Sequence, residues 1–203
     1  MQGVLANAAA AEIGGAFERT KAEMTPKKSK IDWNDFNWPP LLKIAHFSLQ
    51  ELKEPHFGIV KKLYWLFLAE VIRNVLNLIN QIIQTASGYS AMRILAWFVV
   101  TLVMTGITMY GFHNGYRGIC EEKDLLFRYR ICTWITVALY LVYCIPNTLN
   151  FDGFVRLARL FSDGYAFAGV MCLLETLYML FLIGGNIFMI LQVNKWDKPP
   201  VDY

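Results

Sequence analysis

Between residues 63 and 193 the chain runs as long apolar stretches broken by short polar pieces, a pattern missing from the residues before it. The apolar runs fall at about 63–83, 94–112, 131–149 and 165–193. Each is near or above the roughly 20 residues that a helix needs to cross about 30 Å of hydrocarbon. The runs are continuous rather than alternating, and a backbone in lipid must satisfy its own hydrogen bonds, so helices are predicted and strands are not. The expected fold is all-α: a polytopic membrane protein with four transmembrane helices. It divides into an N-terminal arm (1–62), a transmembrane domain (63–193) and a short tail (194–203).

The arm has weaker periodicity. A short helix is expected over about 12–24, ended by Pro26. Residues 41–53 place Leu41, Leu42, Ile44, Ala45, Leu49 and Leu52 at spacings near three and four, which predicts a short helix on the membrane surface until Pro55 interrupts it. Before it comes "DFNWPPLL", residues 35–42. Phe36 and Trp38 are costly to leave in water, and Pro39 and Pro40 exclude a helix interior while biasing Trp38 towards extended backbone. The reading is an extended segment whose aromatics insert at headgroup level or dock against helix ends. The first residues, "MQGVLANAAAAEIGG", lack the basic start and strong apolar core of a signal peptide, and Glu12 and Glu18 argue against a mitochondrial presequence.

Composition sharpens this reading. Of the 203 residues, 56% are hydrophobic and only 17% are charged, against roughly 25% in a soluble protein. The net charge is +3, and its placement matters more than its size. Lys27, Lys28, Lys30, Lys43, Lys61 and Lys62 precede the first span; Arg117, Lys123, Arg128 and Arg130 fill the second loop; Lys195 and Lys198 lie in the tail. The first loop has only Arg93. These counts put both termini and the second loop in the cytoplasm, with Arg156 and Arg159 of the third loop against the trend. Juxtamembrane lysines are accounted for by topology and anionic lipid, so no nucleic-acid partner is expected. The four cysteines, Cys120, Cys132, Cys144 and Cys172, form no CxxC and imply neither a metal site nor a disulfide framework.

Polar residues inside the spans need an account, because a carboxylate in lipid is costly unless paired or turned inward. Glu70 and Arg73, three apart on one face, are expected to pair, with Asn74, Asn77, Asn80 and Gln81 as interhelical glue. Glu175 has no basic residue near it in sequence. It must face the bundle, a water or a neighbouring chain, or be protonated. Small residues at Gly111 and Gly115, Gly164 and Ala168, and Gly184 and Gly185 suggest close helix contact. "GFHNGYRG" is read as a tight exit from span two, with Tyr110, Tyr116 and Arg117 anchored at the interface. "DLLFRYRICTW" is read as a surface elbow leading into span three, and Pro146 and Asn147 as the stop of that span. No nucleophile with a nearby base, phosphate loop or dinucleotide fingerprint occurs, so neither enzymatic activity nor a cofactor or small-molecule substrate is expected.

The order of these features resembles the secretory carrier membrane protein (SCAMP) family over roughly residues 35–193. "NWPPL", residues 37–41, is similar to that family's Asn-Phe-Pro-Pro-Leu element. "VKKLYWLFLAEVIRNVLNLI" is similar to its basic-aromatic lead into span one. "ILAWFVVTLVMTGITMYGF" places a tryptophan in span two as the family does, and Tyr116 and Arg117 match the "YR" pair of its following loop. The family's Cys-Trp-Tyr-Arg-Pro core is reduced here to that pair, with Gly118 in place of proline, and Glu121, Glu122 and Asp124 weaken attraction to anionic lipid. No Asn-Pro-Phe repeats precede "NWPPL".

The resemblance implies a non-enzymatic membrane organiser in vesicle traffic and exocytosis, in Golgi, endosomal or plasma membranes. The expected contacts are with membrane lipids, including anionic phosphoinositides, and with other membrane proteins or further copies of the chain. Phe36, Trp38, Pro39, Pro40, Tyr116, Arg117, Arg128 and Arg130 are the candidate contact residues. Two other readings stay open from the residues alone. One is an accessory subunit of a larger assembly, such as a respiratory complex of the mitochondrial inner membrane. The other is a transporter or channel using Glu70, Arg73 and Glu175.

Overall fold

The computed structural model describes residues 31–39, 43, 45–52, 54–145 and 152–197. The expected helix over 12–24, the lysines at 27, 28 and 30, Pro40, Pro146 and Asn147 lie outside these. The chain forms two compact units, the first ending at His46 and the second starting at Phe47.

In the first unit the chain folds back on itself. Trp38 and Ala45 pair as an antiparallel bridge, each donating its N–H to the other's carbonyl at 2.9 Å, and the Lys43 N–H closes on the Pro39 carbonyl at 2.8 Å. Lys43 takes a left-handed backbone (φ 47°). His46, buried, donates from Nδ1 to the Asp35 carbonyl at 2.9 Å and meets the Trp33 ring edge-on. The extended segment expected here is therefore a small clasp. The surface helix expected over 41–53 does not form at its described residues. Ala45 gives both of its backbone groups to Trp38, and residues 46–52 are turn or irregular. Leu41, Leu42, Ile44 and Lys53 lie outside the described residues.

The second unit contains five helices among the described residues: α1 His56–Ala86, α2 Met92–Cys120, α3 Leu125–Tyr143, α4 Phe154–Ser162 and α5 Ala166–Asp197. Four of them, α1, α2, α3 and α5, are long and apolar enough to cross a membrane. Helix α1 packs on α2 and α5, α3 also packs on α2 and α5, and α4 packs on α5. The spans thus close into a ring of antiparallel neighbours with α4 added at one end.

Three boundaries differ from expectation. Helix α1 starts directly after Pro55, which occupies the N-cap and cannot continue a helix backwards. Helix α2 runs through "GFHNGYRG" instead of leaving the bundle there. Gly111, Gly115 and Gly118 lie along one of its faces and meet α3. A Cβ at Gly115 would sit 2.9 Å from both Leu63 and Tyr129, and one at Gly118 would sit 2.7 Å from Leu126. The glycines serve close packing, not a turn. Helix α3 starts at Leu125 and takes in the expected elbow, ending at Tyr143.

The third loop holds α4, whose Leu160 packs with Ala168 and Cys172 of α5. Gly153 precedes α4 where any side chain would strike the Cys144 backbone carbonyl. Of the two arginines that ran against the charge trend, Arg156 is buried, whereas Arg159 is exposed beside Asp163 at 3.7 Å.

The membrane-spanning unit turns its pattern inside out. On α1 the residues Glu70, Arg73, Asn74, Asn77, Asn80, Gln81 and Gln84 are buried, while Ile72, Val75, Ile79 and Ile82 are exposed. Leu95, Phe98, Val99, Leu102 and Val103 of α2 and Leu174, Leu177, Phe181, Phe188 and Leu191 of α5 extend the outer apolar belt. In water such a surface would drive aggregation; in hydrocarbon it is the low-energy surface.

Candidate functional site

One face of α1 builds the interior. Arg73, Asn77, Asn80, Gln81 and Gln84 recur at intervals of one, three and four, so they project to one side. Opposite them α5 supplies Glu175, α2 supplies Arg93, and the segment before α4 supplies Asp152. All are buried. Asp152 is the hub. It accepts hydrogen bonds from Asn77 Nδ2 (3.2 Å), Gln84 Nε2 (2.7 Å), Gln81 Nε2 and Arg93 Nη2 (3.1 Å). Its backbone carbonyl accepts from the Thr176 hydroxyl at 2.7 Å. Arg93 also donates from Nε to Gln81 Oε1 at 2.8 Å.

Arg156 completes this end. It donates from Nε to Gln84 Oε1 at 2.8 Å, and its guanidinium lies 3.8 Å over the Tyr89 ring. The Tyr89 hydroxyl donates to Asp163 at 2.6 Å. Burial, then the hydrogen bond to Asp163, hold this phenol above its ordinary pKa, so it stays neutral and donating at physiological pH.

Glu175 finds its cation across the bundle. Arg73 Nη2 lies 3.6 Å from its carboxylate, and Asn77 and Asn80 donate to it at 2.6 and 2.8 Å. The Arg73 guanidinium also lies over the Tyr140 and Tyr143 rings, at 5.6 and 5.0 Å. The expected Glu70–Arg73 pair on one helix is replaced by this cross-bundle pair. Glu70 instead accepts from Asn186 Nδ2 of α5 at 2.8 Å. Among the described residues of the second unit, three acids and three arginines are buried, a formally neutral set. Buried charge is tolerated when paired or hydrogen-bonded: Asp152 and Glu175 pair with Arg93 and Arg73, Glu70 accepts from Asn186 and Arg156 donates to Gln84.

The other end of the bundle is built from the start of α1, the α2–α3 turn and the end of α5. Tyr116 is wholly buried. Its hydroxyl donates to the Ser48 carbonyl at 3.3 Å and its ring meets Phe47, which stacks on Tyr64 at 4.4 Å. It anchors the chain leading into α1 and, buried there, offers no exposed surface within the chain. Arg117, part-exposed, pairs with Glu122 at 2.6 Å. Arg130 pairs with Asp197 at 2.5 Å, and His56 packs edge-on against Trp196. Arg128 points outward and is exposed. In the first unit Phe36 is 53% exposed, while Trp38 and Pro39 are half-buried.

Sequence reasoning singled out Glu70, Arg73 and Glu175 but passed over Asp152, Arg93, Arg156 and Asn186. Arg93 and Arg156 were counted as loop charges, and Asp152 had no periodic context at all. The α1 amides were the available signal, since side-chain amides on one lipid-embedded face need carboxylate or carbonyl partners elsewhere. Among the described residues no group of three or more His, Cys, Asp or Glu is placed to hold a metal ion. The four cysteines are unpaired thiols.

No curated protein and no solved structure matches this chain. The SCAMP family profile matches residues 35–199, well over half of the sequence. With the four membrane-crossing helices on the page, that match places the chain as an integral membrane protein that belongs to the SCAMP family.

Proposed function

We propose that this chain is a non-enzymatic organiser of trafficking membranes that gathers anionic lipids and partner proteins at the cytosolic end of its bundle. SCAMP membership supports the membrane-organiser role. The observation that carries the finer reading is the surface around the start of α1 and the α2–α3 turn. There Lys61, Lys62, Lys123 and Arg128 are exposed, and Phe127, next to Arg128, is 64% exposed. Cations at headgroup level beside an aromatic at the acyl boundary are the elements of anionic-lipid recognition. Arg117 is engaged with Glu122, so Arg128 and the lysines carry the attraction. The lysine and arginine counts and the even number of spans support a cytosolic placement of this end and of both termini.

Gentle extraction followed by lipid analysis tests the proposal. The intact protein is expected to retain phosphoinositide or phosphatidylserine above its bulk share. Each juxtamembrane basic residue contributes about 1 kcal/mol, so the triple variant Lys61→Ala, Lys62→Ala, Arg128→Ala should weaken anionic-lipid affinity by on the order of a hundred-fold and return the lipid complement to the bulk share. A lipid complement equal to the bulk and unchanged in the variant overturns it. Recovery of the chain only within a fixed stoichiometric complex favours an accessory subunit instead.

A further inference from the structure

Helix α4 has three faces. At about 100° per residue, Arg156 and Leu160 fall together and are buried. Phe154, Ala158 and Phe161 fall together on a second side, and Arg159 and Ser162, beside Val155, on a third; all of these are exposed. The second side is apolar, and about half of each of its two phenylalanines is left uncovered by any described part of the chain. Phe161 lies across Gly169 of α5, where a Cβ would stand 2.9 Å from its ring. The stripe therefore runs into exposed Phe167 and Val170 and on into the outer apolar belt of α5. An apolar stripe with protein on one side and a charge on the other is the pattern of a helix lying in a membrane interface. This interface is at the end of α1, a full helix length from Lys61 and Lys62 at its start.

Beside the charged edge of α4 opens a cleft of about 250 Å³, lined by Ser87, Gly88, Tyr89, Asp163 and Tyr165. The Tyr89 and Tyr165 rings meet edge-on at 5.6 Å. Arg156 already lies over Tyr89, so the ring open to a further cation is the exposed Tyr165. Asp163 accepts the Tyr89 hydroxyl and meets Arg159 at 3.7 Å through one and the same oxygen, Oδ2, and its side chain stays 40% exposed. Arg159 is more exposed still. The surface thus presents an anion and a cation side by side, loosely paired and without net charge, next to an open aromatic face and an apolar stripe.

We propose that this corner of α4 and α5 binds a choline phospholipid of the leaflet opposite the basic end. The quaternary ammonium sits against the Tyr165 ring and the Asp163 carboxylate, the phosphate at Arg159, and the acyl chains along Phe154, Phe161 and Phe167. A quaternary ammonium has no proton to donate, so an aromatic face and a carboxylate suit it where hydrogen-bond acceptors alone would not. A net anionic headgroup would satisfy Arg159 but set a second negative charge against Asp163. The place and the lipid class both differ from those of the basic end, so the two readings fail separately.

Full-length protein in nanodiscs of equal phosphatidylcholine and phosphatidylethanolamine with matched acyl chains, gently delipidated and analysed for retained lipid, tests it. Phosphatidylcholine should be retained about three-fold over phosphatidylethanolamine, the discrimination expected of one exposed cation–π contact. Tyr165→Ala and Asp163→Asn should return the two lipids to parity, Tyr165→Phe should keep the excess, and the triple variant of the basic end should leave it unchanged. Spin labels at Phe154→Cys and Ala158→Cys should collide more with oxygen than with a water-soluble nickel reagent, and a label at Arg159→Cys should do the reverse. Those labels read the seating of α4 without relying on lipid retention. Equal retention of the two lipids, an excess that survives Tyr165→Ala or disappears in the basic-end variant, or nickel access at Phe154→Cys and Ala158→Cys would overturn the site.

Discussion

Single residues in this bundle carry unequal weight, and Asp152 carries the most. Four side chains donate to it, from α1 and α2, so its loss leaves Arg93 buried without its counter-charge. Breaking a buried pair from one side costs about 3–5 kcal/mol. Asp152→Asn should therefore lower the thermal midpoint by roughly 10 °C in detergent, at about 2–4 °C per kcal/mol for a chain of this size. An unchanged midpoint would show the hub to be dispensable. Arg73 and Glu175 make a weaker contact at 3.6 Å. A double-mutant cycle of Arg73→Met and Glu175→Gln should return a coupling between about 0.5 and 3 kcal/mol. Strict additivity would mean that the two residues do not meet. At this scale the sequence was half legible. The inward turn of Glu175 was readable from the absence of a nearby cation, because lipid forbids the alternative. Its partner was not, because Arg73 lies 102 positions away in the chain and three residues from a more obvious acid.

At the scale of elements, the glycines of α2 show how a local rule misleads. Three glycines in eight residues read as a turn, since glycine costs helix stability in water. In the bundle they form a groove into which Tyr129 and Leu126 of α3 fit, and continuous helix follows. Gly115→Leu should push α2 from α3 and cost about 1–3 kcal/mol by overpacking. Gly184→Leu, where nothing lies within 4 Å of a Cβ, should leave the midpoint near that of the parent. Equal effects of the two substitutions would contradict the seam. The four spans themselves were legible because hydrocarbon allows a long apolar run few other fates. Their ends were not, since helices continue past the hydrocarbon as far as packing and capping permit. Helix α4 stayed hidden because its nine residues are too few for a span and were read as loop charge.

At the scale of the whole membrane-spanning unit, a charge-balanced polar network sits among apolar core residues and is wrapped in an apolar exterior, unlike a soluble domain. That arrangement is why the placement of the apolar runs pointed to membrane spans, and why the amides of α1 could be seen without their partners being known. It also explains one of the two loop arginines that ran against the charge trend: Arg156 answers to the buried polar network through Gln84, not to the charge asymmetry of the loops. The most direct measurement is a spin-label scan of α5 in lipid bilayers. Single cysteines are introduced as Leu174→Cys, Leu177→Cys, Phe181→Cys and Phe188→Cys on the exposed side, and as Thr176→Cys, Met179→Cys and Leu182→Cys on the buried side. The first group should collide freely with dissolved oxygen and poorly with a water-soluble nickel reagent, and the second should be shielded from both. Equal oxygen accessibility around the helix, or reagent access along the exposed side, would contradict the bundle described here.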